Sequence, residues 1–240
     1  MNKLKGIFYT VFILLFCACD PVEPEFTYDE KFLDIYTVKY GNALVPELHA
    51  DSTIYVSNFN DFGLKAGDRV TLLLHYHLNA YDSKDNYLNI VELVEKIPTL
   101  SITPRETVDD VAYDLPLGVR DYVAFKPYIW VWNNRLNVNA LFAANPETTD
   151  FKMSLRGVAN DTIMMDLLAK AEEPLEEKST KLLSYDLVNL EAMFTDVEKE
   201  SLKSFEKLKF RIYMKEKNKD GKLLDRPYNT VTGEYANPLY

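Results

Sequence analysis

Leu208, Phe210, Ile212 and Met214 alternate with Lys207, Lys209, Arg211 and Lys215, so apolar and cationic side chains trade places at every step through one segment. Successive side chains of a strand point to opposite faces, whereas a helix would scatter the same residues around its circumference. A strand that is greasy on one face and charged on the other has one face in water and needs a second layer to cover the other. The same period returns where Val70, Leu72, Leu74, Tyr76 and Leu78 face one way and Thr71, His75, His77 and Asn79 the other. Shorter strands are read over 32–38, 53–56, 151–155, 162–167 and 183–187. With 16 Tyr and 13 Phe against only 8 Gly, the composition suits strands better than phosphate-cradling loops. The fold class this predicts is mainly β.

Turn chemistry divides these runs. Asn133-Asn134, between Tyr128–Trp132 and Leu136–Ala140, tolerates the positive φ that a two-residue hairpin demands. Gly41-Asn42 ends an early strand and Asp220-Gly221 marks a late hairpin. The segment from Tyr87 to Ile102 reads as a strand pair or one bent strand, broken at Pro98. One short helix is predicted near 196–206, because Thr195 and Glu198 have capping-box spacing and lead into Leu202 and Phe205. A polar stretch from Ile102 to Asp114, with Pro104, Thr107, Asp109 and Asp110, sets a boundary between residues 31–103 and 104–240. The first part, with about five short strands, is compatible with a small barrel. A single larger domain is the alternative.

The N-terminus has a different character. Lys3 and Lys5 precede an apolar run from Ile7 to Phe16, interrupted only by Thr10. That run is too short to cross a bilayer, which takes about 20 apolar residues, and has the length of an export signal's apolar core. Residues 1–18 are therefore expected to be a signal peptide. The sequence Phe16-Cys17-Ala18-Cys19 resembles a lipobox, which makes Cys19 the expected site of lipid attachment. Cys17 is the weaker choice, since bulky Phe16 would have to enter the cleavage site; ordinary secretion is the alternative to lipidation. Residues 19–30 form the lipidated end and a tether, whose Pro21, Pro24 and neighbouring acids favour extended chain. No cysteine follows Cys19, so the folded part is built without disulfides.

Charge narrows the partners. Cleavage of the leader removes two lysines from 27 basic and 37 acidic side chains, which takes the net charge from −10 to −12. Such a surface is repelled by phosphate backbones and by anionic head groups, and nucleic acid is excluded as a partner.

The leader, the segment Gly67-Asp68-Arg69-Val70, and the later Tyr128-Ile129-Trp130 and Leu136-Asn137-Val138-Asn139 together resemble the NigD-like lipoproteins. The resemblance covers nearly all of the mature chain. It implies an OB-like barrel over 31–103 followed by a β-sandwich over 104–240. It also implies an outer-membrane lipoprotein, held by its lipid and exposed at the cell surface, with no catalytic residues to carry over. Asp20, Glu23 and Glu25 resemble an acidic signal for outer-face display. The family name comes from a bacteriocin locus, which hints at immunity.

Few constellations carry chemistry. His75 and His77 share a strand face about 7 Å apart, a spacing that can offer two zinc ligands, but two ligands do not make a site and no metal or other cofactor is expected. Tyr128, Trp130 and Trp132 share another face; in water such a row is a platform for sugar rings, and facing a second sheet it is core. Pairs such as Asp109-Asp110 and Glu176-Glu177 carry no spacing that predicts glycoside hydrolysis. Asn218-x-Asp220-Gly221 opens like a calcium loop but lacks the closing acid. Nucleophile-elbow, zincin, P-loop and dinucleotide motifs do not occur. The reading is a non-catalytic envelope module that binds a protein or glycan partner; the alternative is an envelope hydrolase of glycans whose carboxylates converge only in the fold.

Overall fold

A computed structural model describes residues 27–47, 52–79, 87–104, 112–121, 128–230 and 235–239. The leader, Cys19, the tether's first residues and Asp109-Asp110 lie outside the described residues. The chain is mainly β, with one α-helix among the described residues, and it divides into two compact units. The first comprises residues up to Gly67 together with Leu72–Val94; the second takes Asp68–Thr71 and everything from Glu95 onward.

The first unit is a curled five-stranded antiparallel sheet, a half-barrel. Its strands are β1 (Thr27–Tyr40), β2 (Ala43–Pro46), β3 (Ile54–Tyr55), β4 (Arg69–Asn79) and β5 (Tyr87–Lys96), in the order β3-β2-β1-β4-β5. Gly41, at φ +49°, makes the turn from β1 to β2, a conformation that costs residues with a Cβ. Ile35, Leu44, Leu72 and Leu74 fill the inside at 0% exposure. The outer strands β3 and β5 are tied just past β3, by the Ser57 N–H on the Leu88 carbonyl at 3.0 Å and by the Asn58 side chain. Asn58, just past β3, donates from Nδ2 to the Ile90 carbonyl at 2.7 Å and accepts the Ile90 N–H at 2.8 Å. Its amide takes the place of one more strand residue and satisfies an edge that would otherwise stay unpaired.

The second unit is a two-sheet sandwich with its strands β6 (Thr99–Leu100), β7 (Leu117–Val119), β8 (Ile129–Trp132), β9 (Arg135–Ala144), β10 (Asp150–Ala159), β11 (Thr162–Lys170), β12 (Pro174–Asp186), β13 (Lys207–Lys217), β14 (Leu223–Asn229) and β15 (Tyr235–Ala236). One sheet runs β10-β11-β13-β14, with β15 on β13; the other runs β6-β12-β9, with β7 and β8 sharing the far edge of β9. The β8–β9 turn holds Asn133 at φ +47° and Asn134 at φ +54°, as its hairpin chemistry requires. Strand β13 buries Leu208, Phe210 and Ile212 completely and keeps its cations on the other face. These residues join Leu136, Val138, Met153, Ile163, Met165 and Tyr185 in one core between the sheets.

Between β11 and β13 the chain visits the other sheet as β12 and returns through α1 (Asp196–Leu202), so β13 lies parallel to β11. The capping box closes in both directions, with Glu198 N–H on Thr195 Oγ1 at 3.3 Å and Thr195 N–H on Glu198 Oε2 at 2.9 Å. The helix stops at Leu202, short of the predicted 206. Asn237 Nδ2 donates to the carbonyls of Leu202 and Phe205, at 2.8 and 2.6 Å, and satisfies the end that a longer helix would have bonded itself. The segment from Tyr87 to Ile102 splits at Ile97-Pro98, and its second part, β6, pairs in parallel with β12.

Candidate functional site

Among the described residues, main chain joins the two sheets of the second unit at two places, one of them just before β7, where the Leu115 N–H reaches the Ala169 carbonyl of β11 at 3.1 Å. Past β6, Thr103 donates its N–H to the Met153 carbonyl at 2.7 Å and bridges to Ser154, so main chain joins the two sheets beside β10. On the opposite side β7 and β14 stand apart, and between them opens a groove of about 660 Å³. That volume lies in the range of small-molecule sites.

The groove's lining follows from strand register. Residues directly opposite in an antiparallel pair share a face. Ile212 opposes Tyr228, Met214 opposes Arg226 and Glu216 opposes Leu224, so these positions of β14 and Glu216 lie on the face that is core further along β13. The inward run Leu208, Phe210, Ile212, Met214 thus ends in an acid, and its cross-strand neighbours include a guanidinium and a phenol. Polar groups on the inner face of a sandwich are tolerated where that face meets water. Arg226 Nη1 pairs with Glu216 Oε2 at 2.9 Å, and Tyr228 donates its hydroxyl to the same oxygen at 3.3 Å. The Tyr128 and Tyr228 rings meet edge to face at 6.3 Å. Burial, and then the Glu216 charge beside it, raise the Tyr228 phenol above its ordinary value.

The opposite wall is apolar. Leu115, Leu117 and Phe142 line it, and Leu223 adds to it from β14. Strand β12 bows where it passes. Pro174 opposes Ala144 but Ser179 already opposes Phe142, so four residues between them face one, and the slack carries Leu175 and Lys178 to the rim. Asp114 and Lys217 complete the polar border.

Most of the residues singled out from the sequence are placed elsewhere, though Gly221 of the late hairpin turn lines the groove. Tyr128, Trp130 and Trp132 do share a strand face, but Trp130 is only 4% exposed, with Tyr128 and Trp132 half-buried; a sugar could not lie on the middle ring without displacing its neighbours. Only Tyr128 touches the groove wall, through Tyr228. His75 and His77 lie together in the first unit and meet a residue sequence spacing did not suggest, Asp29 of β1. His75 Nε2 contacts Asp29 Oδ1, and His77 Nδ1 lies 3.7 Å from Oδ2. The His75 hydrogen bond holds the Asp29 carboxyl below the usual range. Tyr87 stacks on His77 at 5.0 Å and meets His75 edge-on. Among the described residues no group of three His, Cys, Asp or Glu side chains is arranged to hold a metal ion. Glu176 and Glu177 are exposed. The Asn218–Asp220 segment is a hairpin turn, with Asn218 Oδ1 accepting the N–H groups of Asp220 and Lys222 at 3.0 and 2.8 Å. The groove residues Glu216, Arg226 and Tyr228 carried one legible signal, the acid at the fifth inward position of β13.

No protein-family model and no curated protein sequence matches the chain. Solved structures do. A candidate lipoprotein from Bacteroides fragilis superposes with a TM-score of 0.58 at 10% identity, covering 87% of this chain and 100% of that one. An uncharacterized protein from Parabacteroides merdae gives 0.56 at 14% identity, covering 85% and 98%. A NigD-like immunity protein from Bacteroides caccae gives 0.50 at 17% identity, covering 82% and 96%. At these identities the likeness is one of fold. Over most of its length, this chain shares its fold with a NigD-like protein of Bacteroides caccae and with proteins of Bacteroides fragilis and Parabacteroides merdae.

Proposed function

We propose that this chain is an exported envelope protein, tethered by a lipid on Cys19, whose second unit binds a ligand in the groove between β7 and β14 without transforming it. The observation that carries the reading is the polar set Glu216, Arg226 and Tyr228 on an inner sheet face beside an apolar wall. A core does not need these groups, and their presence costs packing, whereas a ligand site combines an apolar lining with a few convergent polar atoms. Binding is favoured over glycan hydrolysis because Glu216, the carboxylate on the groove's inner sheet face, is committed to its neighbours. Glu216 Oε2 is already engaged by Arg226 Nη1 at 2.9 Å and by the Tyr228 hydroxyl at 3.3 Å. The leader, the lipobox-like Cys19 and the acidic tether support export, anchoring to the outer membrane and display at the cell surface.

Two measurements test this. Metabolic labelling with an acyl-chain analogue labels the wild type and not Cys19→Ala; label that survives the substitution ends the lipid-anchor reading. A Tyr228→Trp reporter then registers groove occupancy by fluorescence across a panel of envelope glycans, peptides and lipids. Binding with recovery of the intact compound supports the proposal, and silence across the panel or a chemically altered compound defeats it. A second reading, toxin immunity, is favoured only by the fold shared with the NigD-like immunity protein. It predicts that deletion sensitises the cell to a toxin, and unchanged sensitivity across a toxin panel discards it.

A further inference from the structure

The border of the groove does not share the charge of the whole chain. Against a net charge of −10, the groove is bordered by Lys178, Lys217 and, at its β14 end, Arg226, with Asp114, Glu216 and Asp225 as its acids. Glu216 is held by Arg226 and Tyr228, and Asp225 by Arg156 at 3.0 Å, so both acids at that end already have cationic partners. Arg226 has more to offer than this pair uses. Its side chain is 62% exposed and only Nη1 is engaged with Glu216, while a guanidinium carries five donors in a fork that fits carboxylate or phosphate.

The shape points the same way. A smaller depression of about 270 Å³ adjoins the groove at the β13–β14 hairpin and shares the walls Glu216 and Lys217, with Arg226 and Asn218 beside them. The larger space has the apolar wall of Leu117, Phe142 and Leu223; the smaller is lined by Glu216, Lys217, Asp225 and Arg226 with Asn218 and Leu224. An apolar trough beside an end where both acids are paired, and where Lys217 and the outer donors of Arg226 face the space, matches a molecule with a greasy body and an anionic head. An extended peptide fits less well. Docking as an added strand uses the free edge of β14, and Pro227 removes a donor from that strand while Asp225 and Arg226 load it with charge.

We infer that the groove takes an anionic amphiphile, its acyl-like body against Leu117, Phe142 and Leu223 and its carboxylate or phosphate head on Arg226 and Lys217. This rests on the groove being the binding site proposed above. The test uses the complete exported chain with Cys19→Ser, which keeps it free of detergent, and cis-parinaric acid as fluorescent probe, displaced by hexadecanoic acid, hexadecyl phosphate or hexadecanol. The acid and the phosphate are expected to compete at concentrations about tenfold lower than the alcohol, the effect of one charge-assisted contact. Arg226→Gln abolishes that gap and leaves the alcohol unchanged, with the melting curve intact; Leu223→Asp weakens all three competitors. If the acid competes better than the phosphate the head is a carboxylate such as a free fatty acid carries, and the reverse order selects a phosphate such as a lipid headgroup carries; either supports the assignment. Equal competition by acid and alcohol, or an Arg226→Gln protein that keeps the gap, overturns it. Failure of every amphiphile to bind overturns it too, and a response of the Tyr228→Trp reporter to a glycan or peptide then shows that the groove binds something else.

Discussion

On one side of the sandwich Thr103 gives its N–H to Met153 and main chain joins the sheets; on the other, Leu115 reaches Ala169 just before β7, but β7 and β14 themselves stand apart around a groove. The sealed side is continuous with the core, where Met153, Ile163 and Phe210 are 0% exposed. The open side uses the same strands and the same inward positions, but places Glu216, Arg226 and Tyr228 on them. Alternation alone makes a strand two-faced. What stands on the inner face decides whether that face becomes interior or wall.

The comparison can be broken most forcefully in the core. Phe210→Ala is expected to cost about 3–5 kcal/mol in chemical denaturation, because it leaves a cavity the sheets cannot close. Leu223→Ala on the open side should cost about 1 kcal/mol or less; similar losses at both sites would mean that the groove is packed like the core. Next comes the seal. Thr103→Pro removes the N–H that reaches Met153 and strands a carbonyl, a loss of about 1–3 kcal/mol, whereas Pro227→Ala on the free edge should be neutral within about 0.5 kcal/mol.

Smaller effects sharpen the contrast. Thr195→Ala undoes the cap of α1, which lies against β10 on the sealed side, and should lower stability by about 1 kcal/mol. Arg226→Gln breaks an exposed ion pair on the open side and should change the unfolding midpoint by less than about 0.5 kcal/mol. The smallest effect is a matter of pH. The hydrogen bond from Lys209 holds the Asp161 carboxyl below its usual range, so its contribution is complete above the ordinary carboxylate value and fades as pH falls through the lowered one. Asp161→Asn should therefore flatten the acid limb of the stability profile and leave neutral pH nearly unchanged; an identical acid limb would show that the pair contributes nothing.

Local physics was legible in the residues. Leu208 to Met214 declared a one-sided strand, Asn133-Asn134 a hairpin with positive φ, and Thr195 with Glu198 a helix start, and each appears where its chemistry placed it. Strand β8 shows where that legibility stops. Ile129 and Val131 on one face and Trp130 on the other are all nearly free of solvent, so no contrast between faces told core from platform. Glu216 was equally quiet, one acid among 37 acidic side chains, until Leu224, Arg226 and Tyr228 came to lie beside it.

Strand character, turn positions and the helix cap depend on residues within a few positions of one another, and the order of amino acids was enough to determine them. Which strands pair, which edge is sealed and which stays open depend on contacts between residues far apart in the chain. Thr103 lies fifty positions before Met153, and Asp29 lies 46 before His75. Bringing such groups together is a matter of chain entropy against burial summed over the whole core, and only the tertiary structure settles that balance.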